Sequence, residues 1–191
     1  MMRGRVMIAT SVAFATLVAA VVRPRPHLIW NASASVPLGF YAVVPTGKFA
    51  RGDLAVVAPP PEVAELFAER GYLPRGVPLL KHVAAVAGQR VCRTELKITI
   101  DGKTVGLARR RDRKGRVLPE WQGCFQLAEG DLFLMNTTVP DSLDGRYFGI
   151  VDSENVVGRA VPIWTDEHRD GRKVWSAKLP PKFPASSTQG D

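Results

Sequence analysis

Ser33 and Ser35, two residues apart in the stretch Asn31-Ala-Ser33-Ala-Ser35-Val-Pro37-Leu-Gly39, and Lys81 are the side chains of this chain whose types and settings could support acyl transfer. A serine hydroxyl is a weak nucleophile until a neighbouring base takes its proton. The three histidines are His27, His82 and His168; His27 borders an apolar N-terminal run and His168 lies in a polar stretch, so a Ser-His-Asp triad has few candidates. The remaining standard base is a lysine. Lys81 lies in LLKHVAAV, residues 79–86, where strand geometry puts it on one face with Leu79, Val83 and Ala85. An ammonium on that apolar face is disfavoured, which lowers its pKa toward the value a base working near neutral pH requires. The competing readings are a Ser/Pro/Gly turn without chemistry and a lysine on an exposed strand edge.

Cys92 and Cys124 sit in no C-x-x-C pattern and have no histidine nearby, which fits neither zinc nor thioredoxin-type chemistry. In an oxidising compartment a disulfide between them is the simplest use; two separate buried thiols are the alternative.

The elements that must position these groups are mostly strands. Short apolar or alternating segments at 39–44, 54–57, 79–86, 96–100, 132–135 and 160–164 are broken by Gly and Pro. Asp101-Gly102 between two such runs reads as a two-residue hairpin turn. Residues 61–70, PEVAELFAER, read as the one helix, with Pro at its start and Gly71 at its end. At 46% hydrophobic and 23% charged residues, the 191-residue chain has the composition of a folded domain rather than a disordered polymer. The formal charge of +8 is accounted for by two segments: Arg3, Arg5, Arg23 and Arg25 without an acid, and six bases within 109–116 against Asp112. No aromatic platform or nucleic-acid motif accompanies them, so no nucleic-acid partner is expected. The 109–116 stretch reads as a solvated loop, with anionic lipid head groups as the other candidate contact.

Residues 6–22 carry no charge and lie between MMRGR and RPRPH. At this length they are a short membrane span, and longer than most signal-peptide cores. Ala32-Ser33-Ala34 has the pattern of a processing site but lies too far beyond the apolar run. The reading is therefore an uncleaved anchor at 1–26, a periplasmic β-rich body at 27–164 and a polar, Pro-containing tail at 165–191, with little to bury after Trp175.

In this order the pieces resemble the type I signal peptidases, most closely the conjugal-transfer TraF branch that processes pilin precursors. Four blocks carry the likeness: SASVPLGFY at 33–41, RGDLAVV at 51–57, LLKHVAAVAGQRV at 79–91, and DSLDGRYFGIV with NVVGRA across 141–160. The resemblance implies a mainly β, antiparallel catalytic domain behind one N-terminal transmembrane helix. It implies Ser35 as nucleophile and Lys81 as general base, with Ser33 as a side-chain donor to the oxyanion and Ser142 as the hydroxyl that orients the lysine. Asp144 and Arg146 match a supporting acid and base, with Asp141 as a competing acid and a plain surface ion pair as the other reading. Two departures stand out. Val36-Pro37 replaces the broad family's Met after the serine and Pro two residues later, which points to the conjugal branch. Met135-Asn136-Thr137 replaces its Gly-Asp-Asn, so the floor of the substrate site is expected to differ.

The implied activity is a serine endopeptidase acting through an acyl-enzyme resolved by water or by an amine, which would close a pilin into a ring. It needs no metal or organic cofactor. The expected partners are a membrane-embedded pilin precursor or preprotein and the lipid bilayer. The expected place is the bacterial inner membrane, single-pass, with the body in the periplasm. The alternatives are a general type I signal peptidase and a catalytically silent, membrane-anchored pilus assembly factor.

Overall fold

The computed structural model describes residues 27–175. The expected anchor at 1–26 and residues 176–191 lie outside the described residues, among which no helix is long and apolar enough to cross a membrane.

Among the described residues twelve strands, all paired antiparallel, build two sheets. In chain order they are β1 (Leu28–Asn31), β2 (Leu38–Val44), β3 (Leu54–Val57), β4 (Leu79–Ala85), β5 (Arg90–Thr94), β6 (Lys97–Ile100), β7 (Lys103–Leu107), β8 (Gly123–Gln126), β9 (Asp131–Leu134), β10 (Ile150–Asp152), β11 (Val156–Asp166) and β12 (Val174–Trp175). The larger sheet runs β1-β2-β11-β3-β4-β9-β10, with β12 added on β11; the smaller runs β7-β6-β5-β8. Helix α1 (Pro61–Glu69) starts on Pro61 and gives way at Gly71, φ +68°, as its sequence predicts. A second, four-residue helix, α2 (Gly145–Phe148), and a 3-10 turn at Ser153–Asn155 carry no apolar periodicity and are not legible beforehand.

The six expected strand segments all form, and Asp101-Gly102 turns with both residues at positive φ, the conformation that matches strand twist in a two-residue hairpin. The body extends past the expected boundary at 164. β11 continues to Asp166 and β12 pairs with it, the Asp166 carboxylate accepting from the Asp170 and Gly171 N–H groups to close the turn. That polar turn hides a hairpin in a stretch that reads as tail.

β4 lies between β3 and β9, and all seven of its residues are buried. On one side Val36, Tyr41, Leu54, Val56 and Leu80 share a cluster; on another Ala55, Val57, Val83, Leu132 and Leu134 do. Each valine or leucine among them contributes roughly 1.5–3 kcal/mol on burial. The residues beside Ser35 and Lys81, Val36 and Leu80, are thus packed in one core. At Gly39 (φ +146°) a Cβ would stand 2.1 Å from the Trp164 carbonyl oxygen, so only glycine lets β2 and β11 approach there.

Cys92 and Cys124 face each other across β5 and β8 and form a disulfide. The bond closes a loop of 32 residues, so breaking it in a Cys92→Ser/Cys124→Ser variant is expected to cost about 3–4 kcal/mol. Denaturant unfolding of the two proteins measures this, and equal midpoints would show that the crosslink adds nothing.

Candidate active site

The serine turn is built by one side chain that the sequence alone does not single out. Asn31, buried at the end of β1, donates from Nδ2 to the carbonyls of Ser33 (2.8 Å), Val36 (3.1 Å) and Pro37 (3.0 Å). Its Oδ1 accepts from the Ser33 N–H (3.1 Å) and lies 2.9 Å from Ser33 Oγ. An Asn two residues before a serine is a local turn signal, and it is the one clue the sequence holds. Tyr41 adds a buried hydroxyl that donates to the Pro37 carbonyl at 2.7 Å; burial and the nearby Glu167 carboxylate push its pKa up. Ser35 is therefore held in a rigid turn, its Oγ 3.1 Å from Ser33 Oγ.

Lys81 projects from β4 into this turn from inside the protein. Its side chain is 4% exposed, which excludes the exposed-edge reading. Nζ lies 3.4 Å from Ser35 Oγ and donates to Ser142 Oγ at 2.9 Å. Burial lowers its pKa to about 8; the Asp144 carboxylate acts in the opposite direction and the Arg146 guanidinium with it. A lysine so placed is neutral in part near physiological pH.

Ser142 owes its position to a buried ion pair. Asp144 and Arg146 are 0% and 1% exposed and meet through two contacts, Nε to Oδ1 at 2.8 Å and a terminal nitrogen to Oδ2 at 2.9 Å. The guanidinium also donates to the carbonyls of Val139 (2.7 Å), Pro140 (3.1 Å) and Ser142 (3.2 Å), and so fixes the loop that presents the hydroxyl. The pair is a buried scaffold rather than a surface ion pair. Gly145 lets α2 lie directly on β9, since a Cβ there would be 2.7 Å from the Leu134 carbonyl oxygen. The Asp144 carboxylate then reaches the Asn136 N–H at 3.0 Å. Asn136, in the departure from the family's Gly-Asp-Asn, accepts from the His82 N–H at 3.0 Å and ties this scaffold to β4 beside Lys81.

Asp141 points elsewhere, to an ion pair with Arg113 at the surface. Arg93 is a further buried group that sequence reading passes over: in an alternating strand it is 1% exposed and donates to the Arg146 carbonyl at 2.7 Å. Ser35, Lys81, Ser33 and Ser142 thus converge, Asp144 and Arg146 brace them, and the Cys92–Cys124 disulfide lies in the other sheet. An open groove of about 830 Å³ passes over the serines, lined among others by Ile29, Ser35, Leu73, Pro78, Lys81 and Ser142.

A family model described as signal peptidase, peptidase S26, matches residues 2–165. The chain belongs to the signal peptidase family. Among signal peptidase relatives, a protein named probable conjugal transfer protein TraF from Sinorhizobium fredii is 33% identical over 145 residues, covering 71% of this chain and 76% of that protein. The conjugal transfer protein TraF of Agrobacterium fabrum is 35% identical over 147 residues, covering 71% and 81%. A signal peptidase I structure from Enterococcus faecalis aligns at 20% identity over 59% of this chain and 96% of its own, with a TM-score of 0.34.

In this member of the signal peptidase family, Asp144→Asn is expected to leave the Arg146 charge buried without its partner. A loss of about 3–5 kcal/mol of stability follows. Because the Asp144 carboxylate raises the Lys81 pKa, its neutralisation should also move the acid limb of the activity to lower pH. Thermal unfolding and a pH–rate profile check the two effects; an unmoved limb would count against the electrostatic link.

Proposed function

We propose that this chain is a membrane-anchored serine endopeptidase that matures pilin precursors in conjugal transfer. Ser35 is its nucleophile and Lys81 its general base. The observation that carries the reading is the buried lysine within reach of both Ser35 Oγ and Ser142 Oγ. The names of the relatives support the conjugal role.

Neutral Lys81 takes the Ser35 proton as Oγ attacks the substrate carbonyl, and Ser142, accepting from the lysine, keeps Nζ aimed. A contact of 3.4 Å is at the long end for proton transfer, and such contacts tighten when substrate is bound. The developing oxyanion is held by the Ser35 backbone N–H and by the Ser33 hydroxyl, which turns from Asn31 Oδ1 toward it while the Ser33 N–H keeps Asn31 in place. The lysine ammonium then protonates the departing amine, leaving an ester on Ser35 that water or a second amine resolves. Among the described residues β1 pairs only with β2. Its outer edge borders the groove and suits an extended chain bound by main-chain hydrogen bonds.

The test is reaction of the full-length protein with a serine-directed acylating probe, mapped by peptide mass. Labelling is expected at Ser35, and its loss is expected in Lys81→Met. Wild-type protein that is folded and takes no label would overturn the enzymatic reading in favour of a silent assembly factor.

A further inference from the structure

The basic segment 109–116 is the solvated loop its composition suggests, and it is also an ordered one. The Asp112 N–H donates to the Arg116 carbonyl at 2.9 Å, the Gly115 N–H to the Asp112 carbonyl at 3.0 Å, and Arg111 pairs with Val117, closing a small hairpin. The single acid of the segment is consumed within it: the Asp112 carboxylate accepts from the Lys114 and Arg116 N–H groups at 2.8 Å, from Arg116 Nε at 2.7 Å and from the Tyr72 hydroxyl. Arg116 donates to the Arg70 carbonyl at 3.1 Å and Arg70 to the Val117 carbonyl at 2.7 Å, so the hairpin is docked on the end of α1.

A cavity of about 270 Å³ results, walled by Arg70, Arg109, Arg111, Arg113, Lys114 and Arg116. The two carboxylates in its lining, Asp112 and Asp141, are already paired with Arg116 and Arg113. Among the described residues no carboxylate pairs with Arg109, Arg111 or Lys114. The cavity is therefore strongly and unevenly cationic. It also abuts the groove, sharing Tyr72, Arg113, Asp141 and Leu143 with it, and Asp141 directly precedes Ser142.

We infer that this cavity is a subsite of the groove that binds a carboxylate of the substrate chain, either an acidic side chain or a free C-terminus. The inference rests on the endopeptidase reading. Guanidinium forks match a carboxylate in geometry as well as in charge. The cavity is concave, of side-chain size and continuous with the groove, which suits one group carried on a bound peptide better than the plane of a lipid surface. The subsite selects substrates; it touches no reacting atom.

The experiment uses full-length protein in detergent micelles at low salt and short fluorescent peptides read by anisotropy. One peptide lacks acids and is amidated, a second is the same with a free C-terminal carboxylate, and a third set is amidated with one Glu moved along the chain. At least one carboxylate-bearing peptide is expected to bind about three- to tenfold more tightly than the neutral amide. Which set shows the gain tells chain end from side chain. The gain should vanish in Arg109→Gln/Lys114→Gln, persist in Arg109→Lys/Lys114→Arg, and turn into a preference against carboxylates in Arg109→Glu/Lys114→Glu. Equal binding of all peptides by wild-type protein, or a gain that survives the Gln substitutions, overturns the proposal. So does a Gln variant that loses only its binding to phosphatidylglycerol vesicles, which would make the hairpin a lipid contact. Probe labelling of Ser35 is measured in parallel. Labelling without the carboxylate gain sinks the subsite and spares the peptidase; the gain without labelling does the reverse.

Discussion

Ser35→Ala is expected to stop the maturation of a membrane pilin precursor while leaving the protein folded. The substitution removes one hydroxyl and little volume from a turn that Asn31, Tyr41 and the buried Val36 hold independently of it. Stability should change by less than about 1 kcal/mol, whereas the rate should fall by roughly 10⁴- to 10⁶-fold. Ser33→Ala should be milder, because an oxyanion donor is worth roughly 3–4 kcal/mol and the Ser35 N–H remains. Product mass reports the fate of the acyl-enzyme, since a ring is one water lighter than the corresponding linear chain. If cells without another such peptidase mature pilin normally with stably expressed Ser35→Ala, the enzymatic reading fails. If the purified enzyme instead cleaves preproteins and leaves pilin untouched, the conjugal role fails and a general signal peptidase takes its place.

The second large effect is at Lys81, where activity and stability should move in opposite directions. Acylation needs the neutral amine, so kcat/KM should rise with pH through about 8 and level off above it; at pH 7 it should be about tenfold below the plateau. Lys81→Met should lose that limb and roughly 10²- to 10⁴-fold in rate. Stability depends on the same value. The folded-state pKa lies below that of the unfolded chain, about 10.4. Between pH 8 and pH 10.4 the folded protein binds fewer protons than the unfolded one, so wild-type stability rises across that window and is lowest below it. The burial penalty, about 3 kcal/mol, is fully present at pH 7. Lys81→Met removes it, offset in part by the lost hydrogen bond to Ser142. The variant should therefore unfold at a higher temperature than wild type at pH 7, with the difference fading toward pH 10. A pH-independent rate between pH 6 and 9, or a Lys81→Met protein that turns over at close to the wild-type rate, would show that another group is the base.

The features legible along the chain are local ones. Period-two alternation marks β2, and the apolar run around Lys81 marks β4, because backbone geometry makes neighbours two apart share a face. Asp101-Gly102 and the Pro61 to Gly71 segment are legible for the same reason, since each conformation is set by the residues that adopt it. Composition and motif order also pointed to Ser35 and Lys81. Tertiary structure decided everything that depends on which strands lie side by side. Ser35 and Lys81 are 46 residues apart and Lys81 and Ser142 are 61 apart, and they meet only because tertiary packing places β4, an interior strand of the larger sheet, beside both loops. On the sequence Asp141 competes with Asp144 for the supporting role. Burial separates them, one turning out to Arg113 and the other locked under Arg146. Asn31, Asn136 and Arg93 gain their roles in the same way: a polar side chain has no preferred partner until packing excludes water, after which the groups it can still reach decide what it holds in place.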